Sequence, residues 1–521
     1  MSKILELIEW SRRFDLNRKP WLMLGKGPTF SQVGQVDLAQ YYVCSLNHVI
    51  REVPADLAHI IDLDVVLDCA DSIYHNAKTL VMPFYPHVNH RPTSKSIRNF
   101  LGEIPVLQKL ASEGRLVWYN LATSKRKEGD SPTVTVKFFS AEAALNLLAT
   151  VGVKVVRSLG VDGGTSYSGN FADLSEKTRL ANGHDSFDKQ FSGIARTIRT
   201  TGIFYAPLHI QAPVRVFVGS DAAQVAGAKV LEYSIKKFAS LSVDVQIIDD
   251  RDVPIPKDPA NRSRTGFSFS RFHIPKLCDY RGRAVYVDAD MQVFTDIRKL
   301  WTWDFEGVDV LYAENSRDGT RIPQFSVMLL NCANLDWDVH KIVEGLDNGR
   351  FDYKQLMQHL CILPADRRRP SLPFEWNSLE HYEAGKTCLI HYTDMPTQPW
   401  ISNRNPNGKL WYECCREAID EGFLAHELLY EEVEKGNVSP ELPGWLGLSP
   451  PADIRSKRQS WTPPFRRFVN LPKVPQLGVN VSVSSAPVTS AVRPVASITS
   501  GLSRYTAIGR LLKERVVRLF R

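Results

Sequence analysis

Two carboxylates close an apolar run in Arg283-Ala284-Val285-Tyr286-Val287-Asp288-Ala289-Asp290. At the end of a strand such a pair can reach a hard divalent cation, one ligand directly and the other directly or through water, with room left for diphosphate oxygens. The same spacing recurs at Asp62/Asp64, Asp250/Asp252 and Asp336/Asp338, and most such pairs are loop or surface coincidences. A second pattern is Trp21-Leu22-Met23-Leu24 running into Gly25-Lys26-Gly27-Pro28-Thr29. Glycines there let backbone N–H groups approach a phosphate at a helix start, and a plain strand-to-helix turn is the other reading. A third is the run Val155 to Leu159, followed by Gly160-Val161-Asp162-Gly163-Gly164.

Context singles out Asp288 and Asp290. Val214 to Ser220 with Asp221, Thr265-Gly266-Phe267-Ser268-Phe269-Ser270-Arg271-Phe272, Phe325 to Asn331, and Leu389-Ile390-His391-Tyr392 through Gln398-Pro399-Trp400 follow one another in order. These segments resemble the glycogenin-like retaining glycosyltransferases, family 8, which have the open α/β fold called GT-A. The resemblance implies that Asp288, Asp290 and His391 hold Mn²⁺ or Mg²⁺. It also implies that Gly219, Ser220 and Asp221 contact the nucleotide, and that Arg271 orients the first carboxylate or the nucleotide. A metal so held would neutralise the charge that grows on a departing diphosphate. Where the family has an Asp-Gln pair lining the sugar, this chain reads Asp352-Tyr353-Lys354-Gln355. Gln355 matches, Lys354 stands where a carboxylate is expected, and Asp352 is the nearest substitute, so Asp352, Lys354 and Gln355 are the candidate catalytic residues. The closing motif also departs, with Asp394 or Met395 and Gln398 where the family offers Gly and Lys to the diphosphate. Trp376, in Pro373-Phe374-Glu375-Trp376-Asn377, and Trp400 are candidate sugar contacts, since rings stack on sugar faces.

The N-terminal patterns, over about Pro20 to Phe171, resemble the Rossmann-like domain of bacterial motility accessory factors, a pterin diphosphokinase-like group and, more distantly, one class of bacterial sialyltransferase. That resemblance implies nucleotide binding through Gly25, Gly27 and Thr29, with Asp162 near the reacting end. His48, His59, His87 and His90 are candidates for a base by residue type only.

The elements that must position these residues follow from hydropathy. Strand-like runs at Trp21 to Leu24, Tyr41 to Val43, His59 to Ile61, Leu116 to Trp118 and Val153 to Leu159 precede a restart at Val214. There VRVFVGS, an amphipathic stretch from Ala222 to Phe238 and VDVQII form a βαβ signature. The expected class is α/β, with two Rossmann-like domains at 1–205 and 212–445, the second of GT-A type. A low-complexity linker at 446–501 and a basic amphipathic helix at 502–521 complete the expected layout, the tail being disordered up to that helix.

Composition bounds the function. The chain has 521 residues, 43% hydrophobic and 23% charged, which is a globular balance, and no run reaches the roughly 18 apolar residues of a membrane span. Its formal charge is +7, yet thirteen Lys and Arg face only Asp453 and Glu514 from Asp453 onward. The expected folded part is therefore slightly acidic, which argues against nucleic acid as a partner, while the basic tail suits peripheral contact with an anionic membrane. Eight cysteines without C-x-x-C spacing argue against a zinc site and for a reducing cytoplasm. The expected partners are a nucleotide sugar donor and a glycan, lipid or protein acceptor whose identity the sequence does not reveal.

Overall fold

The computed structural model describes residues 4–176, 178–313, 325–449, 451–453 and 461–464. Two open α/β sheets lie within one compact body, residues 1–469. The first sheet contains β1 (Leu5–Glu6), β2 (Trp21–Leu24), β3 (Tyr42–Leu46), β4 (Leu57–His59), β5 (Leu80–Pro83), β6 (Leu116–Leu121), β7 (Thr133–Val134), β8 (Val155–Leu159) and β9 (Phe204–Pro207). Their order is β1-β6-β5-β4-β3-β2-β8-β9, with β7 added to β6, and every pairing is parallel. Parallel strands are covered on both faces, which is why β2, β5 and β6 read as unbroken buried runs. Helices α1 (Ser140–Thr150) and α2 (Gln190–Thr201) cover one face, where Ala144, Leu145, Leu148 and Ile194 join Met23 and Val156 in the core.

The second sheet is built from β10 (Val214–Gly219), β11 (Val243–Ile248), β12 (Arg283–Asp288), β14 (Val310–Ala313), β15 (Val327–Asn331) and β16 (Arg368–Leu372). Its order is β11-β10-β12-β15-β14-β16; β10, β11 and β12 are parallel, and β15 is antiparallel to β12. A small third sheet places β18 (Leu389–His391) between β13 (Met291–Val293) and β17 (Ser378–Leu379). Helix α3 (Val225–Phe238) connects β10 to β11, its apolar stripe divided between two core clusters. Helices α4 (Val339–Asp347), α5 (Tyr353–His359) and α6 (Gly408–Asp420) follow later in the chain.

Three expectations change. Leu80–Pro83 is an internal strand that hydropathy alone passed over, its apolar run broken by a proline that argues against a central strand. The strand near His59 begins at Leu57 and ends at His59. Trp461, inside the stretch read as a linker, packs against the apolar cluster that contains Trp411 and Leu442 and donates its Nε1 proton to the Gly436 carbonyl at 3.0 Å. The amphipathic helix at 502–521 lies outside the described residues.

Candidate functional site

Strand register assembles the C-terminal cluster. β12 ends at Asp288, the chain bends through Ala289 and Asp290, and β13 then turns back to pair antiparallel with β18, Met291 opposite His391. The Ala289 N–H donates to the Gly219 carbonyl at 2.9 Å and the Tyr392 N–H to the Asp290 carbonyl at 2.8 Å, so the bend is clamped from both sides. Residues a hundred positions apart thereby converge: one ligand atom each from Asp288, Asp290 and His391 lies within 4.8 Å of the others.

The surroundings leave ligand atoms available. His391 Nδ1 donates to Asn377 Oδ1 at 2.9 Å, which orients the ring so that Nε2 faces the carboxylates. That Nε2 stands 3.1 Å from Asp290 Oδ1. Asp290 Oδ2 accepts from Gln398 Nε2 at 3.2 Å, an amide that also bonds the Tyr392 carbonyl. Asp288 Oδ1 accepts from the Tyr286 hydroxyl at 2.6 Å and from Arg271 Nη2 at 3.3 Å. Burial pulls the His391 pKa down, but the Asp290 carboxylate, with Asp288 and Glu380 behind it, outweighs this and holds it above the ordinary histidine value. Two carboxylates and an imidazole nitrogen converging at this range form a donor set that fits a divalent cation, which would replace the proton shared between His391 and Asp290.

The remaining candidates divide. Gly219 is sterically required, because a Cβ there would stand 2.3 Å from the Tyr286 hydroxyl that holds Asp288. Ser220 is buried, its hydroxyl on the Asp221 carbonyl, and Asp221 accepts from Ala223 N at 2.9 Å and Gly266 N at 3.3 Å, tying two loops beyond the strand ends. Arg271 donates to the Asp288 carboxylate at 3.3 Å and to the Phe325 carbonyl at 3.0 Å.

The two tryptophans are corrected. Trp376 and Trp400 are 2% and 1% exposed, and Trp400 packs on Trp411 and Tyr392 and against Gly227, so both rings belong to the core and offer no face to a sugar. Asp352 and Gln355 bond each other's backbone N–H groups at 2.7 and 2.9 Å, the reciprocal cap of α5, and Lys354 is exposed on the same turn. Among the described residues no hydrogen bond or ion pair joins these three to Asp288, Asp290 or His391. Sequence reasoning missed Asn377 as a partner of His391, although the run that contains it was singled out for its aromatic ring.

The N-terminal loop is also corrected. Gly25 N donates to the Leu159 carbonyl, Gly27 N to the Gly160 carbonyl at 2.7 Å, and Thr29 N to Asp162 Oδ2 at 2.8 Å. The N–H groups expected to cradle phosphate are already bonded. The glycines serve close approach instead, since a Cβ on Gly25 or Gly160 would stand 2.3 or 2.1 Å from the other's carbonyl oxygen. Asp162 is held by Thr29, whose hydroxyl lies 2.9 Å from both carboxylate oxygens. Asp62 and Asp64 accept the His90 and Asn89 N–H groups of a short hairpin at 3.1 and 2.7 Å, a turn-holding role.

Residues 216–347 match the family model described as glycosyl transferase family 8. Protein CDI of Arabidopsis thaliana is 26% identical over 248 residues, covering 43% of this chain and 89% of that protein. Among solved structures, the apo glycosyltransferase GlyE of Streptococcus pneumoniae TIGR4 aligns at 16% identity and a TM-score of 0.29, covering 41% of this chain. The chain spans 64% of the length of that structure. The galactosyltransferase LgtC, in complex with donor and acceptor sugar analogues, aligns at 13% identity and a TM-score of 0.29, covering 47% of this chain and 100% of that one. The match of residues 216–347 to the family 8 model supports a glycosyltransferase.

Proposed function

We propose that the chain transfers a hexose, with retention of configuration, from a UDP-linked sugar to a glycan, lipid or protein acceptor, and that Asp288, Asp290 and His391 hold the Mn²⁺ or Mg²⁺ this needs. The observation that carries the reading is the convergence of Asp288, Asp290 and His391 within 4.8 Å, with His391 Nε2 3.1 Å from Asp290 Oδ1 and Nδ1 of the same ring tied to Asn377. When bound, the ion would neutralise charge on the departing diphosphate. The chain's own residues prepare for it: Tyr286 and Arg271 hold Asp288, Gln398 holds Asp290, and Asn377 aims the imidazole. We further propose that residues 1–205 and 212–445, each with its own sheet, are the two domains, and that the protein works in the cytoplasm.

Release of nucleoside diphosphate or monophosphate from UDP, GDP and CMP sugars, with and without Mn²⁺, tests the reading without needing the acceptor. Wild type is expected to release UDP from one UDP sugar only with metal, and Asp290→Asn to lose that release by about 100-fold or more, the scale of one lost electrostatic contact in a transition state. Metal-independent release from a CMP sugar that survives Asp290→Asn would move the chemistry to the N-terminal sheet.

A further inference from the structure

The first sheet carries a cavity of about 350 Å³ that the C-terminal cluster does not use. Topology explains its place. From β2 the strands step outward through β3, β4 and β5 to β6, and the chain then returns to the other edge of β2 with β8 and β9. The loops leaving β2 and β8 diverge, and beyond the strand ends at such a reversal an open parallel sheet leaves a crevice that suits a ligand. Gly25 and Lys26 after β2, Asn47 and His48 after β3, and Gly160 and Asp162 after β8 line it.

The lining defines what fits. The Lys26 ammonium lies 3.1 Å from the Thr178 hydroxyl and 4.4 Å from the Tyr167 ring centre, and among the described residues it has no ion pair with a carboxylate. Burial pulls its pKa down to about 8. His48 is 2% exposed; its Nε2 is 3.0 Å from Asp68 Oδ2, while its Nδ1 is buried without a partner. Asn47, held at φ 53°, donates to the Ser140 hydroxyl at 3.2 Å and leaves Oδ1 buried without a partner. Tyr167 and Phe187 stack at 5.6 Å on another wall. Lys137, 5.0 Å from the Phe138 ring centre, adds a second cation, and the Asp62 carboxylate is engaged by the His90 N–H. His48, Asp68 and Cys69 are close enough to hold a metal. Against that, burial pushes the Cys69 thiol up to about 12, and the charges of Arg51 and Lys26 act on the same groups, so an anion suits the site better than a cation.

We propose that this crevice is a second small-molecule site that takes a ligand with a single oxyanion, a phosphomonoester or a carboxylate, borne on a ring. The oxyanion meets Lys26, ring hydroxyls or ring nitrogens meet Asn47 Oδ1 and His48 Nδ1, and the ring lies against Tyr167 and Phe187. A diphosphate is disfavoured because the N–H groups of Gly25, Gly27 and Thr29 are already bonded. The site is independent of the donor site proposed above.

Calorimetric titration of the full chain in EDTA, with glucose 1-phosphate, glucuronate, uridine 5′-monophosphate, UDP and inorganic phosphate, tests this. Glucose 1-phosphate, glucuronate or uridine 5′-monophosphate is expected to bind. Lys26→Met should weaken that binding by about 10-fold or more, the worth of one charged hydrogen bond, while Lys26→Arg weakens it less and Asp290→Asn leaves it unchanged. Preference between glucose 1-phosphate and glucuronate assigns the oxyanion. No binding by any ringed probe at millimolar concentration, equal binding by a folded Lys26→Met, loss in Asp290→Asn, or UDP binding more tightly than the monophosphate would each overturn the proposal.

Discussion

Asn377 decides which nitrogen of His391 faces the carboxylates. Its Oδ1 can only accept, so Nδ1 must carry a proton and Nε2 is the nitrogen turned to Asp290, where loss of its proton would free it for a metal. Removing the acceptor frees the ring to change tautomer and to rotate. Asn377→Ala is expected to weaken Mn²⁺ binding about 10- to 100-fold, the usual scale for an orienting partner of a metal ligand, and Asn377→Asp to retain more of it by keeping an acceptor in place. Direct Mn²⁺ titration followed by electron paramagnetic resonance reads this apart from turnover. Unchanged affinity in Asn377→Ala would mean that His391 is not a ligand. At this scale the sequence disclosed carboxylates and imidazole because their types and order carry the chemistry. It hid the role of Asn377, because an amide that orients a ligand has no fixed spacing to it and becomes visible only when β17 and β18 lie side by side.

Elements were legible where burial made them uniformly apolar, and less so where tertiary contacts set the ends. β2 and β12 run where hydropathy puts them, whereas β5 is short and closes on Pro83, and the Gly25 loop mimics a phosphate loop because two chain segments must touch there. Helix α1 shows a cap with a cost. Glu142 sits in its first turn, 2% exposed, and accepts the Phe139, Phe138 and Lys137 N–H groups at 2.8, 3.0 and 3.2 Å. Burial outweighs those donors and pushes its pKa up from 4.5 to about 7. A carboxyl raised on folding stabilises fully below its unfolded value, and that contribution is lost as pH rises through the folded value. Between pH 4.5 and about 7 this group should therefore remove about 3 kcal/mol of stability as pH rises. Glu142→Gln, whose amide oxygen still caps α1, is expected to abolish that component. Urea unfolding of both proteins at pH 4.5 and 7.5 measures it, and parallel pH slopes would place the Glu142 titration elsewhere.

Over the whole molecule, charge is divided as unevenly as chemistry. Arg199, from α2 of the first sheet, reaches the second by gripping Glu421 at 2.7 and 3.0 Å and by donating to the Lys237 carbonyl at 3.0 Å, while Lys237 meets Glu417 within the second. No helix among the described residues is long and apolar enough to cross a membrane. The basic excess is concentrated beyond Asp453, and residues 502–521, outside the described residues, carry six Lys and Arg against Glu514. Each such charge near an anionic lipid surface is worth about 1 kcal/mol, so five net charges among the segment's apolar residues would suffice for reversible attachment. We propose that this segment brings the transferase to an anionic membrane. The full chain is expected to float with vesicles containing phosphatidylserine, to float less with neutral vesicles, and to be released at about 0.5 M salt as the charges are screened. A chain lacking 502–521 should stay at the bottom of the gradient while releasing UDP at the wild-type rate, which would separate targeting from chemistry. Equal flotation with and without the segment would end the proposal, and would assign the +7 excess to solubility and weak encounters alone.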